Sequence, residues 1–110
     1  MSVIASRVTA VKHIVMWRLL GNDVGERAEA GARVKSAFEN LRGHIPGLIT
    51  IEVGIDAAAG EDACHAVLVS EFESQTALEA YVTHPEHARV QDELAGLRTS
   101  RLSIDYLVDR

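Results

Sequence analysis

LITIEVGID, residues 48–56, is the stretch from which the fold can be worked outward. Ile49, Ile51, Val53 and Ile55 alternate with Thr50, Glu52, Gly54 and Asp56. Successive side chains of a strand point to opposite faces, so this period of two predicts a strand with one aliphatic face. On its N-terminal side, Pro46-Gly47 closes a different periodicity. Val34, Phe38, Leu41 and Ile45 recur at intervals of four, three and four, which is one stripe of a helix. Asp23 followed by Glu26 has the spacing of a helix-starting capping box. Gly25 and Gly31 weaken the first half of that helix, by about 1 kcal/mol each relative to Ala. Before it, VKHIVMWRLL (11–20) is β-branched and apolar on both faces, as expected of a strand covered on both sides.

On the C-terminal side, AAAGEDA (57–63) is a Gly-containing connection and the interior segment expected to be the most flexible. A third strand is predicted from about Cys64 to Phe72. Ser74 is suited to cap a short helix through Ala77, Leu78 and Tyr81. His84-Pro85 interrupts it. A proline disfavours helical geometry in the residue before it, yet fits the first turn of a new helix because it has no N–H to leave unpaired. The new helix carries Ala88, Val90, Leu94 and Leu97. LSIDYLV (102–108) makes a fourth strand with Leu102, Ile104, Tyr106 and Val108 on one face.

The resulting order, β-α-β-β-α-β, is the split βαβ arrangement of an α+β protein. Helices on one face of its sheet leave the other bare, and the four aliphatic residues of the second strand are expected to make that face apolar. Such a patch calls for a cover. A homodimer through the sheet faces is the simplest one, since two-fold dimers are the commonest homo-oligomers.

Composition narrows the function. The 110 residues read as one domain, 1–110, with a modest core of its own, although 47% of them are apolar. A net charge of −5, with two lysines and nine scattered arginines, argues against nucleic-acid binding. No apolar run has the length of a membrane span, and residues 1–10 lack the core of a signal peptide. The single cysteine, Cys64, excludes an internal disulfide and fits a reducing, cytoplasmic setting.

Several motifs together resemble the stress-responsive dimeric α/β-barrel (Dabb) family. They are VKHIVMWRL (11–19), PGL (46–48), LVSEFES (68–74), AYVTHPEH (80–87) and DYLV (105–108). The resemblance implies a ferredoxin-like βαββαβ protomer forming a dimeric α/β barrel, with a cavity in each subunit. In a plant polyketide-cyclase branch of the family, a linear tetraketide thioester is closed by an aldol reaction. The tyrosine and late histidine that do the acid–base work there match Tyr81 and His87, and a pocket-lining histidine matches His13.

The residues themselves leave alternatives open. His87 falls in the first turn of the second helix, where the helix dipole disfavours imidazolium and favours a neutral base. It is equally able to pin a loop to the sheet. Tyr81 can hydrogen-bond a carbonyl oxygen that gains charge, or serve as a core tyrosine whose hydroxyl reaches the backbone. His13 lines a cavity or is a core histidine with a partner. Trp17 and His84 complete the candidate ligand-binding set, His84 being more suited to a turn and Trp17 to the core. No cofactor and no metal are expected, because the proline break disturbs any common face for Tyr81, His84 and His87. The function expected is binding of a small hydrophobic or aromatic carbonyl compound. The alternatives are a cofactor-independent cyclase or lyase with His87 as base and Tyr81 as hydrogen-bond donor, or a structural, stress-associated dimer without catalysis.

Overall fold

The computed structural model of the chain describes residues 9–58 and 60–109. Residues 1–8, which hold most of the segment searched for a signal peptide, lie outside the described residues, as does Ala59 of the 57–63 connection. Four strands and three helices follow in the order β1 (Thr9–Leu19), α1 (Val24–Glu39), β2 (Leu48–Ile55), β3 (Ala66–Phe72), α2 (Gln75–Val82), α3 (Pro85–Glu93) and β4 (Arg98–Asp109). The strands form one antiparallel sheet in the order β2-β3-β1-β4.

Two expectations need correction. The sheet is not closed into a barrel: β2 and β4 each pair on one side only and end the sheet as open edges among the described residues. The order is also βαββααβ, because Thr83 and His84 separate α2 from α3. The architecture is therefore a ferredoxin-like α+β fold with an open four-stranded sheet and three helices.

The side chains of β1 explain where the core lies. Val11, Val15, Trp17 and Leu19 are buried on the helix side, together with Leu68 and Phe72 of β3. Ile51 and Val53 of β2 belong to the same core, each 2% exposed. Register settles this: Val53 lies opposite Leu68, which lies opposite Val15. The aliphatic face of the second strand thus meets the helices and not the bare side. A shift in pairing between Leu48 and Thr50 leaves Ile49 exposed at the strand's start. The open side is apolar for a different reason. Two rows run across the neighbouring strands there, Val69–Ile14–Ile104 and Val67–Met16–Leu102. Leu102 and Ile104 are each 59% exposed.

Helix starts follow the capping logic. Asp23 accepts from the Glu26 N–H, and the Glu26 carboxylate accepts from the Asn22 N–H, one residue earlier than in the simplest box. Helix α1 ends at Glu39, so Leu41 and Ile45 reach the core from the turns beyond it. Gly31 has a packing role that outweighs its helix-propensity cost. A Cβ there would lie 3.2 Å from Leu19 and 3.3 Å from Ile55, so glycine lets α1 settle on the sheet. Gly47 is more constrained still. Its φ is +80°, and a Cβ would lie 2.6 Å from that of Ala77, at the start of α2.

Candidate functional site

Between the sheet and the α2–α3 pair lies a cavity of about 530 Å³, within the range of small-molecule sites. Val15, Trp17, Phe38, Leu68 and Leu94 supply much of its apolar wall. His13, Tyr81, His87 and Gln91 border it, and Arg98 and Arg101 at the start of β4 form one side.

His13 reaches the cavity from the centre of the sheet. Asp105 lies opposite it on β4, and the carboxylate meets His13 Nδ1 at 2.6 Å. With Nδ1 as donor to Asp105, His13 keeps Nε2 as an acceptor. Its backbone carbonyl accepts from the Ser70 hydroxyl at 3.0 Å.

Tyr81 sits on α2 with Phe72 on one side and His87 on the other, at ring-centroid distances of 5.2 and 4.7 Å. The His87 contact is edge-on. Tyr81 is 2% exposed and its hydroxyl has no hydrogen-bond partner. Leaving a buried hydroxyl unpaired costs about 1–3 kcal/mol, so this position departs from ordinary core design. Burial pushes the phenol up to about 12, against a small opposing pull from Arg98, and keeps it a donor at neutral pH.

The break before Pro85 sets His87. His84 caps α3, its Nδ1 accepting from the Glu86 N–H at 3.0 Å, and Pro85 opens the helix. That puts His87 in the first turn with its ring beside Tyr81. Burial lowers its pKa below the usual histidine value, and His13 when protonated, Arg98 and Arg101 add to the effect as positive neighbours. One turn on, the Gln91 amide nitrogen lies 3.2 Å from His87 Nε2. Arg98 donates to the Gln91 amide oxygen, which turns the NH₂ group towards His87. In this orientation the NH₂ donates, which suits a neutral His87 that accepts at Nε2 and carries its proton on Nδ1.

Four of the five sequence candidates, His13, Trp17, Tyr81 and His87, therefore border one cavity. His84 does not line it, because its ring is used as the cap of α3. Asp105, Gln91 and Arg98 complete the site and were not among the candidates. Asp105 could have been found by pairing β1 with β4, since alternation in LSIDYLV sets it on the face opposite Leu102, Ile104 and Tyr106. Arg98 and Arg101 both lie within β4, and their side-chain bonds go to Gln91 and Ser103.

A second hollow, of about 680 Å³, lies beside Arg18 and His65. Its polar groups serve the chain: His65 Nδ1 accepts from the Leu19 N–H and Arg18 donates to the Ala63 carbonyl. Among the described residues, no three His, Cys, Asp or Glu side chains gather closely enough to hold a metal ion. No helix is long and apolar enough to cross a membrane.

An open ferredoxin-like sheet with a polar-rimmed cavity under a split helix defines the structural class. The sequence profile of the stress responsive A/B barrel domain matches residues 11–108, and the chain belongs to that family. Among solved structures, a dimeric protein of unknown function from Bacteroides fragilis is 36% identical. The match covers 88% of this chain and 94% of that one, with a TM-score of 0.78. A dimeric ferredoxin-like protein from Thermobifida fusca is 20% identical, with 92% of each chain covered and a TM-score of 0.75. The hydroxynitrile lyase of Passiflora edulis shares the fold at 17% identity, covering 90% of this chain and 93% of its own, with a TM-score of 0.69. No curated protein matches the chain.

Proposed function

We propose that the chain binds a small hydrophobic or aromatic carbonyl compound in the cavity beneath α2 and α3. The observation that carries this reading is the convergence of His13, Tyr81 and His87 on one otherwise apolar hollow. His13 offers an acceptor nitrogen, and the Tyr81 hydroxyl is a donor that the protein leaves unused. Trp17 is the sole tryptophan and borders the cavity, so its emission reports occupancy. Titration with acetophenone and its ring-substituted analogues is expected to change that emission saturably, and Tyr81→Phe to weaken the response. A flat response across the series would remove the proposal.

A second reading, proton abstraction without a cofactor, is favoured by the Tyr81–His87 contact. His87 removes a proton from the carbon next to the carbonyl through Nε2, which the substrate takes over from the Gln91 amide, and Tyr81 donates a hydrogen bond to the oxygen that gains charge. Exchange of the acetophenone methyl protons with D₂O, followed by NMR, checks this step. It is expected to be accelerated by the wild type and lost in His87→Ala. Binding without accelerated exchange leaves the protein a binder.

The partner belonging to this reading is a second copy seated on the open sheet face. Its apolar rows and the dimeric relatives support that arrangement. Sedimentation velocity is expected to give a dimer and Ile104→Glu a monomer; a wild-type monomer would exclude it. The single cysteine fits a cytoplasmic location for such a protein.

A further inference from the structure

We infer that the ligand of this cavity is an organic anion, a compact aryl or aliphatic carboxylate gripped by Arg98 while its apolar body lies among Val15, Leu68 and Leu94. The inference rests on the proposal that the cavity is a ligand site and specifies what that ligand must carry.

The first observation is a local reversal of charge. The chain has 16 acidic and 11 basic residues, a net charge of −5. Among the described residues no Asp or Glu lines the cavity, whereas Arg98 and Arg101 both do. Asp105 stands behind His13 and is engaged by its Nδ1.

The second is the state of Arg98. It is half-buried, and its side-chain bond goes to a neutral amide, the Gln91 oxygen. Lys35 pairs with Glu39 and Arg89 with Glu86 and Glu93, whereas Arg18 and Arg42, like Arg98, donate to neutral oxygens; Arg98 differs from those two in bordering the cavity of His13, Tyr81 and His87. The Arg98 guanidinium lies 4.6 Å from the Trp17 ring centre and 5.4 Å from that of Phe38, and these two rings are themselves stacked. Ring faces steady the cation but do not neutralise it. Burial pushes the Arg98 pKa down, Tyr81 opposes this in part, and the nearby Arg101 adds a still smaller downward push. A guanidinium nevertheless stays charged in proteins. Two like charges thus meet at one cavity, and among the described residues no carboxylate lies in its wall.

The third is geometric. Guanidinium N–H groups lie in a plane and match the two oxygens of a carboxylate. The guanidinium of Arg98 lies over the Trp17 and Phe38 rings and one Nη donates to Gln91, so its remaining N–H groups are the ones a ligand would take. Tyr81, whose buried hydroxyl has no partner among the described residues, borders the same cavity.

Calorimetric titration with naphthalene-2-carboxylate and with its neutral isostere naphthalene-2-carboxamide tests the inference. The carboxylate is expected to bind at least about tenfold more tightly, with the advantage shrinking as salt is raised. Arg98→Gln is expected to abolish the difference while amide binding persists, and Arg98→Lys to retain part of it. Equal wild-type affinities would overturn the anion preference and leave the cavity proposal standing. Binding of neither compound, with Trp17 emission also silent, would overturn both. The wild-type comparison does not depend on any variant folding.

Discussion

Two parts of the helix layer treat their polar groups differently. Where α1 and the turn after it meet β2, the long side chains tie the layers together. Lys35 donates to the Val53 carbonyl, Glu39 accepts from the Val53 N–H, and Arg42 donates to the Ile51 carbonyl. Beneath them Val34, Leu41, Ile51 and Val53 are fully packed. Where α2 and α3 lie over β1 and the start of β4, a cavity remains, and among the described residues Tyr81 Oη has no partner and Arg98 bonds to a neutral amide. The first region is organised for stability. The second keeps unfulfilled hydrogen-bonding and charge capacity, which is what a binding site requires of a small fold.

The largest test of that contrast lies in the packed region. Leu41 is wholly buried, and Leu41→Ala is expected to remove about 2–5 kcal/mol of stability in urea unfolding. Tyr81→Phe, at a site almost as buried, is expected to do the reverse. It removes an unpaired hydroxyl while keeping the ring between Phe72 and His87, so stability rises by up to about 1–3 kcal/mol as ligand binding falls. A loss of stability on Tyr81→Phe would mean that the hydroxyl has a structural partner, and the contrast would break.

A smaller effect should separate the two regions by pH. The hydrogen bond from Lys35 holds the Glu39 carboxyl below the usual carboxylate range, helped by the Val53 N–H. Its folded pKa is depressed, so its contribution is present above the ordinary glutamate value and lost as pH falls through the lowered one. Glu39→Gln is expected to flatten the stability profile below about pH 4.3. An unchanged acid limb would show that this link between α1 and β2 adds nothing to folding.

How much of this was legible in the sequence depends on range. Capping by Asp23, Ser74 and His84, and the start of α3 at Pro85, follow from neighbours a few residues apart, and they were readable. The direction of the second strand was not. Period two in LITIEVGID shows that one face is aliphatic, but only pairing with β3 shows that the face meets the helices. The site divides in the same way. Tyr81 and His87 are six residues apart across a helix break, whereas the Asp105 partner of His13 is 92 residues away and depends on the β1–β4 register. Arg98 was hidden for another reason: β4 begins four residues before the apolar alternation that marks it.

The finest test concerns the tautomer of His87, where the two readings of that residue part company. If it merely fills space between α3 and the sheet, replacing Gln91 should not alter how it titrates. If Gln91 holds it as a neutral acceptor, the identity of residue 91 should govern its titration, because a carboxylate there accepts where the amide donates. Folded His87 has a lowered pKa, from burial first and then from His13 when protonated, Arg98 and Arg101. Its contribution to stability is therefore full above the ordinary histidine value, near 6.5, and is lost as pH falls towards the lowered one. Gln91→Glu should raise the folded midpoint and shrink that loss, and Gln91→Leu should release the Nδ1–H tautomer with a smaller shift. Imidazole ¹⁵N shifts across pH 4–8 measure both. Identical titrations in the wild type, Gln91→Glu and Gln91→Leu would assign the neutrality of His87 to burial and positive neighbours alone, and Gln91 would then be a partner of Arg98 only.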